Sequence, residues 1–227
     1  QYLYFLDSDD FLEAECISYL ISLSQKYNAD IVKSSHRDID ECGSTLSLKR
    51  YPGESVFKTD EFKKLVYTKN LYHPIYSWNK LYKRSFLVDN HMHYRHDFHE
   101  DAFFTFNELE NAKKIIVTPK VTYNYLVRSN SLTTSDTSFE KISVFIDNKK
   151  FIEKFFNTND HLYAYCCQVD VFVMTYIMIV RDAYASDNIS KINKIMLLKK
   201  AFETPKLPLK MLYLIFISKK WKLVLLL

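Results

Sequence analysis

Three carboxylates fall within four residues at Asp7, Asp9 and Asp10, directly behind the apolar run Tyr2-Leu3-Tyr4-Phe5-Leu6. Crowded carboxylates repel one another unless a cation joins them, so this cluster is a candidate seat for Mg²⁺ or Mn²⁺. The plainer alternative is a strand-end turn whose aspartates cap a helix. A second acidic pair stands in His99-Glu100-Asp101-Ala102-Phe103-Phe104. Acids at a helix start are stabilised by its dipole, so alone this pair reads as an ordinary helix N-terminus. A third concentration is the histidine run His91, His93, His96 and His99. Such density can mark a transition-metal site. His91 and His93 would share a strand face, but the remaining spacing is irregular, which favours a polar loop.

Elements must place these residues. The run before Asp7 alternates too little for a surface strand and reads as a short buried strand of a parallel sheet. Open α/β sheets bind ligands beyond the carboxyl ends of their strands, where the acids would lie. Apolar Ile17, Leu20, Ile21 and Leu23 predict a helix over 13–27, and a second buried strand follows at 29–33. Residues 36–51 are polar, contain Gly43 and read as a hairpin or excursion. Thr59 is a fitting N-cap, with Asp60 and Glu61 behind it. A short strand and short helix are expected over 77–90, and a helix over 99–110. Two strands parted at Pro119 are expected over 113–127. From about residue 138 the pattern is helical, so an α/β part (1–135) should precede an α-helical part (136–227).

Composition narrows the classes. Of 227 residues, 48% are hydrophobic and 16% aromatic, which supports a packed core rather than disorder. Two glycines cannot build a Gly-rich phosphate loop or a dinucleotide fingerprint. Cys16, Cys42, Cys166 and Cys167 lack zinc spacing and read as free thiols in a reducing compartment. The first residue is Gln and a strand starts at once, so a shortened N-terminus is expected. The net charge of +4 is unevenly spread. Residues 188–227 carry nine lysines against Glu203 alone, a net of +8, and the rest carries 22 basic and 26 acidic residues, a net of −4. The tail therefore suits an anionic partner and the body does not; no nucleic-acid partner is expected.

In its order of motifs the chain resembles the inverting family 2 glycosyltransferases of the GT-A fold. Phe5-Leu6-Asp7-Ser8-Asp9-Asp10 looks like the family's DxD motif. Trp78-Asn79-Lys80-Leu81-Tyr82 looks like its W-N-K-L-Y segment. His99-Glu100-Asp101 looks like its E-D motif, and Tyr123-Asn124-Tyr125 through Arg128-Ser129-Asn130-Ser131 looks like its Y-x-Y-x-x-R-x-x-S segment. The ordered set covers roughly residues 2–135 and is more specific than any one member.

The resemblance implies a GT-A-like, Rossmann-like domain lacking its first strands, followed by helices. It also implies transfer of a sugar from a nucleotide-sugar donor to a hydroxyl of a glycan or lipid-linked acceptor, with inversion, in surface-polysaccharide biosynthesis such as capsule or lipopolysaccharide. Asp9, with Asp7, would hold Mg²⁺ or Mn²⁺ against the diphosphate. Asp7 would lie near the ribose or a metal-bound water, and Asp10 would fix the turn. Asp101 would take the acceptor proton, with Glu100 orienting that region. Lys80, Arg128 and Ser131 would reach phosphate oxygens. Trp78 would offer a sugar-stacking face, against the alternative of a core tryptophan, and His99 would meet the acceptor.

Residues 207–227 hold a seven-residue apolar run, Met211 to Ile217, then Lys219, Lys220, Trp221 and Lys222. That is far short of the roughly 20 residues needed to span a bilayer. It fits an amphipathic helix on an anionic membrane surface, or one packed on protein. A cytoplasmic protein, peripheral on the inner membrane face, is the expectation. A haloacid-dehalogenase-like phosphohydrolase also starts with Asp-x-Asp, but Phe11 stands where that family wants Thr or Val. A shortened, non-catalytic remnant binding a membrane or partner through its helices is the non-enzyme alternative.

Overall fold

The sheet is built on two long neighbours, β3 (Ile31–Ile39) and β7 (Lys114–Leu126), which run parallel from the Ile31–Ile115 pair to the Ile39–Leu126 pair. β7 is rich in β-branched and aromatic residues, as a half-buried pleated surface favours, and β3 begins with Ile31 and Val32. In this computed structural model the described residues are 1–69, 76–94, 100–128, 139–140, 142–143, 187 and 189–202. Five shorter strands pair antiparallel with this spine or its neighbour. β6 (Lys80–Lys83) takes the first half of β3, and β4 (Thr45–Lys49) takes the second half as a hairpin. β5 (Ser55–Lys58) takes the start of β7, and β2 (Phe11–Leu12) takes Tyr123 and Asn124. β1 (Tyr2–Tyr4) joins β6, and the order is β1-β6-β3-β7-β2.

Side chains alternate between faces along each strand, and helices cover both faces. Leu81, Val32 and Ile116 meet α1 (Cys16–Tyr27) in a cluster with Cys16, Leu20 and Leu23. The alternate residues Lys80 and Tyr82 face α4 (Glu100–Asn111) through its Glu108. This mixed sheet flanked by helices is the expected α/β class. α2 (Thr59–Lys69) and α3 (Arg84–Asp89) complete the helices up to residue 128.

Three local expectations are corrected. β1 pairs antiparallel with β6 and is not a buried parallel strand. Tyr2 and Tyr4 pack on the α1 cluster while Leu3 is 43% exposed, so burial alternates as at a sheet edge. Residues 114–126 form one strand of 13 residues, not two. The register steps from Ser34–Thr118 to Ser35–Val121, so Pro119 and Lys120 bulge out and the proline ends no strand. Thr59 does not cap α2, since its hydroxyl is buried without a hydrogen-bond partner. Glu61 reaches back to accept the Lys58 amide at 3.2 Å, which is half of a capping box with Lys58 at the cap.

The chain divides into two compact units. The first is Gln1–Lys63, Tyr72–Arg95 and Asp101–Ser135; the second is Lys64–Leu71, His96–Glu100 and Asp136–Leu227. In the second unit the described residues include the helix Lys191–Phe202. The segments expected to be helical at 144–186 and 207–227 lie outside the described residues.

Candidate active site

The acidic turn is held by β7. Asp10 is 8% exposed, and both of its oxygens are used: Tyr123 Oη donates to Oδ2 at 2.5 Å, and the Leu126 amide donates to Oδ1 at 2.8 Å. The Tyr123 oxygen also accepts the Asp7 amide at 3.4 Å, and the Asp10 amide closes the turn on the Asp7 carbonyl at 3.1 Å. Burial pushes the Asp10 carboxyl above the usual range, and the bonds from Tyr123 and Leu126 offset part of that rise. Asp10 is thus the anchor of the turn. Asp7 is exposed, and Asp9 is half-buried and ion-paired to Arg128 Nη2 at 2.7 Å.

Asp101 lies in the first turn of α4. Its Oδ1 accepts both the Ser77 hydroxyl at 2.5 Å and the Ser77 amide at 3.3 Å. The two acidic groups share an aromatic neighbourhood. Phe5, two residues before Asp7, meets Phe104, three residues after Asp101, with ring centroids 5.5 Å apart. Tyr94 packs edge-on to Phe5 and stacked on Phe104. Burial, then the charges of Asp101, Glu108 and Asp7, push its hydroxyl pKa up, against a lowering hydrogen bond with Ser77. Tyr94 therefore feels both carboxylate clusters.

The W-N-K-L-Y segment is structural in this fold. Trp78 is 7% exposed and stacks with Tyr76 at 3.6 Å, Tyr123 at 4.7 Å and Tyr125 at 5.2 Å, so it is a core tryptophan rather than an open sugar platform. Asn79 adopts a left-handed conformation (φ 58°), which Asn tolerates, and its amide donates to the Ser34 carbonyl at 2.6 Å. Lys80 is fully buried, with Nζ at 3.1 and 2.8 Å from the two Glu108 oxygens. It is committed to that pair and is not presented to a phosphate. Tyr82 hydrogen-bonds the same Glu108.

The fold therefore brings together Asp7, Asp9, Asp10 and Arg128 at one end of β7, with Asp101 tied to Ser77. It withdraws Lys80 and Trp78 into the core. His99 and Ser131 lie outside the described residues, as does the side chain of Glu100. Of the histidine run, His91 and His93 are exposed, and no group of three or more His, Cys, Asp or Glu residues with metal-binding arrangement occurs among the described residues. Cys16 and Cys42 are free thiols. Sequence reasoning missed Ser77, Tyr94 and Glu108. The two tyrosines of the Tyr-x-Tyr segment were visible in the sequence, but nothing local showed that Tyr123 would hold the acidic turn.

No family model matches the chain. Over 130 residues it is 29% identical to a poly(ribitol-phosphate) beta-glucosyltransferase of Bacillus spizizenii, a match that covers 56% of this chain and 19% of that protein. The chain thus spans about a fifth of that relative's length. Among solved structures, S. aureus TarS 1-349 in complex with UDP-GlcNAc superposes with a TM-score of 0.68 at 15% identity, covering 94% of this chain and 59% of that one. The same TarS fragment in complex with UDP gives a TM-score of 0.62 at 14% identity, covering 89% and 55%. The chain thus shares the fold of the TarS structures and is similar in sequence, over 130 residues, to a poly(ribitol-phosphate) beta-glucosyltransferase.

Proposed function

We propose that the chain transfers a sugar from a UDP-sugar to a hydroxyl of a polyol-phosphate cell-wall polymer, with inversion at the sugar. The supporting observation is the clasped acidic turn, which exposes Asp7 and presents Asp9 beside Arg128, in a fold shared with a protein that binds UDP-GlcNAc. The match to a poly(ribitol-phosphate) beta-glucosyltransferase supports the choice of polymer.

In this reading Asp101 accepts the acceptor proton as the acceptor oxygen attacks the anomeric carbon. The bond from that carbon to the diphosphate oxygen breaks, and UDP leaves with the electron pair. Arg128 turns from Asp9 to the diphosphate, which its planar fork can grip at two oxygens. Asp7 and Asp9 are hard oxygen donors too few for a complete protein cage. They would suit Mg²⁺ or Mn²⁺ in the presence of the substrate, since such ions are often held by one or two carboxylates plus substrate phosphates. When bound, the cation neutralises charge on the leaving diphosphate. Asp10 takes no part in that shell, because both its oxygens are bonded to β7.

We also place this chemistry at an anionic membrane surface. On the helix Lys191–Phe202, Ile192, Ile195 and Met196 are 71%, 58% and 53% exposed, and Lys191 and Lys199 are exposed beside them. Among the described residues no helix is long and apolar enough to cross a membrane. An apolar stripe flanked by lysines suits the interface instead.

A panel of UDP-, GDP-, CMP- and dTDP-sugars tests the donor by calorimetry with Mn²⁺ present. UDP-sugar binding is expected, with transfer to poly(ribitol phosphate). Asp101→Asn should abolish transfer and leave the donor dissociation constant within about twofold, because it removes a base and not a binding charge. Binding of none of the nucleotides, or loss of donor affinity in Asp101→Asn, contradicts these roles.

A further inference from the structure

We propose that Ser77 is the positioning residue for Asp101, and that the buried part of the W-N-K-L-Y segment exists to hold Ser77 in place. The inference rests on the proposed role of Asp101 as base.

Ser77 is 5% exposed and gives Asp101 two donors, its hydroxyl and its own amide, both to Oδ1. A carboxylate on the first turn of a helix otherwise rotates about two side-chain torsions. Two bonds from one residue fix that rotation and leave Oδ2 unused by Ser77, so one oxygen is aimed while the other accepts a proton. Tyr94, whose ring packs on Phe5 beside the acidic turn, senses the same contact, since Ser77 and Asp101 both act on its hydroxyl.

Ser77 is itself fixed from several directions. Its carbonyl lies 3.0 Å from Tyr82 Oη, and Tyr82 and Lys80 both bond Glu108 on α4, the helix that carries Asp101. Trp78 is stacked among Tyr76, Tyr123 and Tyr125, and Asn79 is bonded to Ser34 on β3. A backbone amide can be aimed only if its peptide is held, and these contacts hold it. They also explain why a lysine resembling a phosphate ligand in sequence is buried: Lys80 fastens α4 to β6 through Glu108. An error of about 1 Å in such a group costs on the order of a hundredfold in rate.

The test compares Ser77→Ala and Ser77→Thr with the unaltered chain. Ser77→Ala is expected to lower kcat by about 10- to 100-fold with donor affinity and KM within twofold, and Ser77→Thr, which keeps the hydroxyl, to recover most of the loss. The Asp101 carboxyl ¹³C resonance, identified by its disappearance in Asp101→Asn, gives a second readout that needs no activity. It should move in Ser77→Ala and stay near its original position in Ser77→Thr. An unmoved resonance in Ser77→Ala overturns the positioning role whatever the protein transfers. A moved resonance with an unchanged kcat overturns the base role instead and leaves the Ser77–Asp101 contact standing.

Discussion

Asp7, Asp9 and Asp10 are one residue type in three environments: exposed, ion-paired and buried. Their substitutions should separate accordingly. Asp10→Ala leaves the Tyr123 hydroxyl and the Leu126 amide without an acceptor, and a buried unsatisfied group costs about 1 to 3 kcal/mol. Urea unfolding should show a loss in that range or somewhat above it, while Asp7→Ala stays within about 0.5 kcal/mol and loses donor affinity. His36 gives a pH signature of its own. It is 8% exposed, bonded to Tyr76 and edge-on to Trp78, with Asp38 nearby, and burial pushes its pKa down to about 4. The folded chain thus binds this proton less readily than the unfolded chain, whose His36 titrates near 6.5. Stability should be flat above that value and fall by about 2 to 3 kcal/mol as pH drops from 7 to 4.5. His36→Gln should remove that part of the fall. The three carboxylates were legible in the sequence as a group, since their spacing is local. Their division of labour was not, because Tyr123 and Leu126 lie 113 and 116 residues from Asp10.

The elements show the same limit. The hairpin after β3, the short strand and helix at 80–89 and the helix carrying Asp101 were readable from periodicity and flanking residues. The Lys80 environment was not, for a lysine reveals its burial only through its partner, and Glu108 sits 28 residues away on α4. Pro119 misled because a proline breaks a strand interior but fits a bulge, and the bulge depends on how β3 pairs. The Lys80–Glu108 pair links β6 to α4 out of water. Glu108→Gln should therefore cost about 3 to 5 kcal/mol in urea unfolding, by leaving the Lys80 ammonium buried without a counter-charge. Lys80→Met with Glu108→Leu should cost far less. On β3, Lys33 is 4% exposed, and burial, then Lys80, drives its pKa well down. The unfolded chain holds that proton up to about 10.4, so this residue makes stability rise with pH up to that point. Lys33→Met should remove the rise and stabilise the protein at pH 7 by about 1 to 3 kcal/mol.

Charge is partitioned across the whole chain, with +8 in 188–227 and −4 elsewhere. Sedimentation with phosphatidylglycerol vesicles should show binding at low salt that weakens as salt rises, and no comparable binding to neutral vesicles. Changing Ile192, Ile195 and Met196 together to serine should reduce that binding about tenfold or more, since apolar burial adds to charge at the interface. Equal sedimentation of the altered and unaltered chains would remove the membrane reading. The clasp between Asp10 and β7 carries a temporal consequence. A ribosome presents residues 7–10 long before residues 123–126, and contacts so distant along the chain form late because loop closure must be paid for first. A nascent chain halted short of Tyr123 would hold every carboxylate of the turn and none of its shape. The acidic turn is in this sense a clock, and it is set only after β7 has emerged.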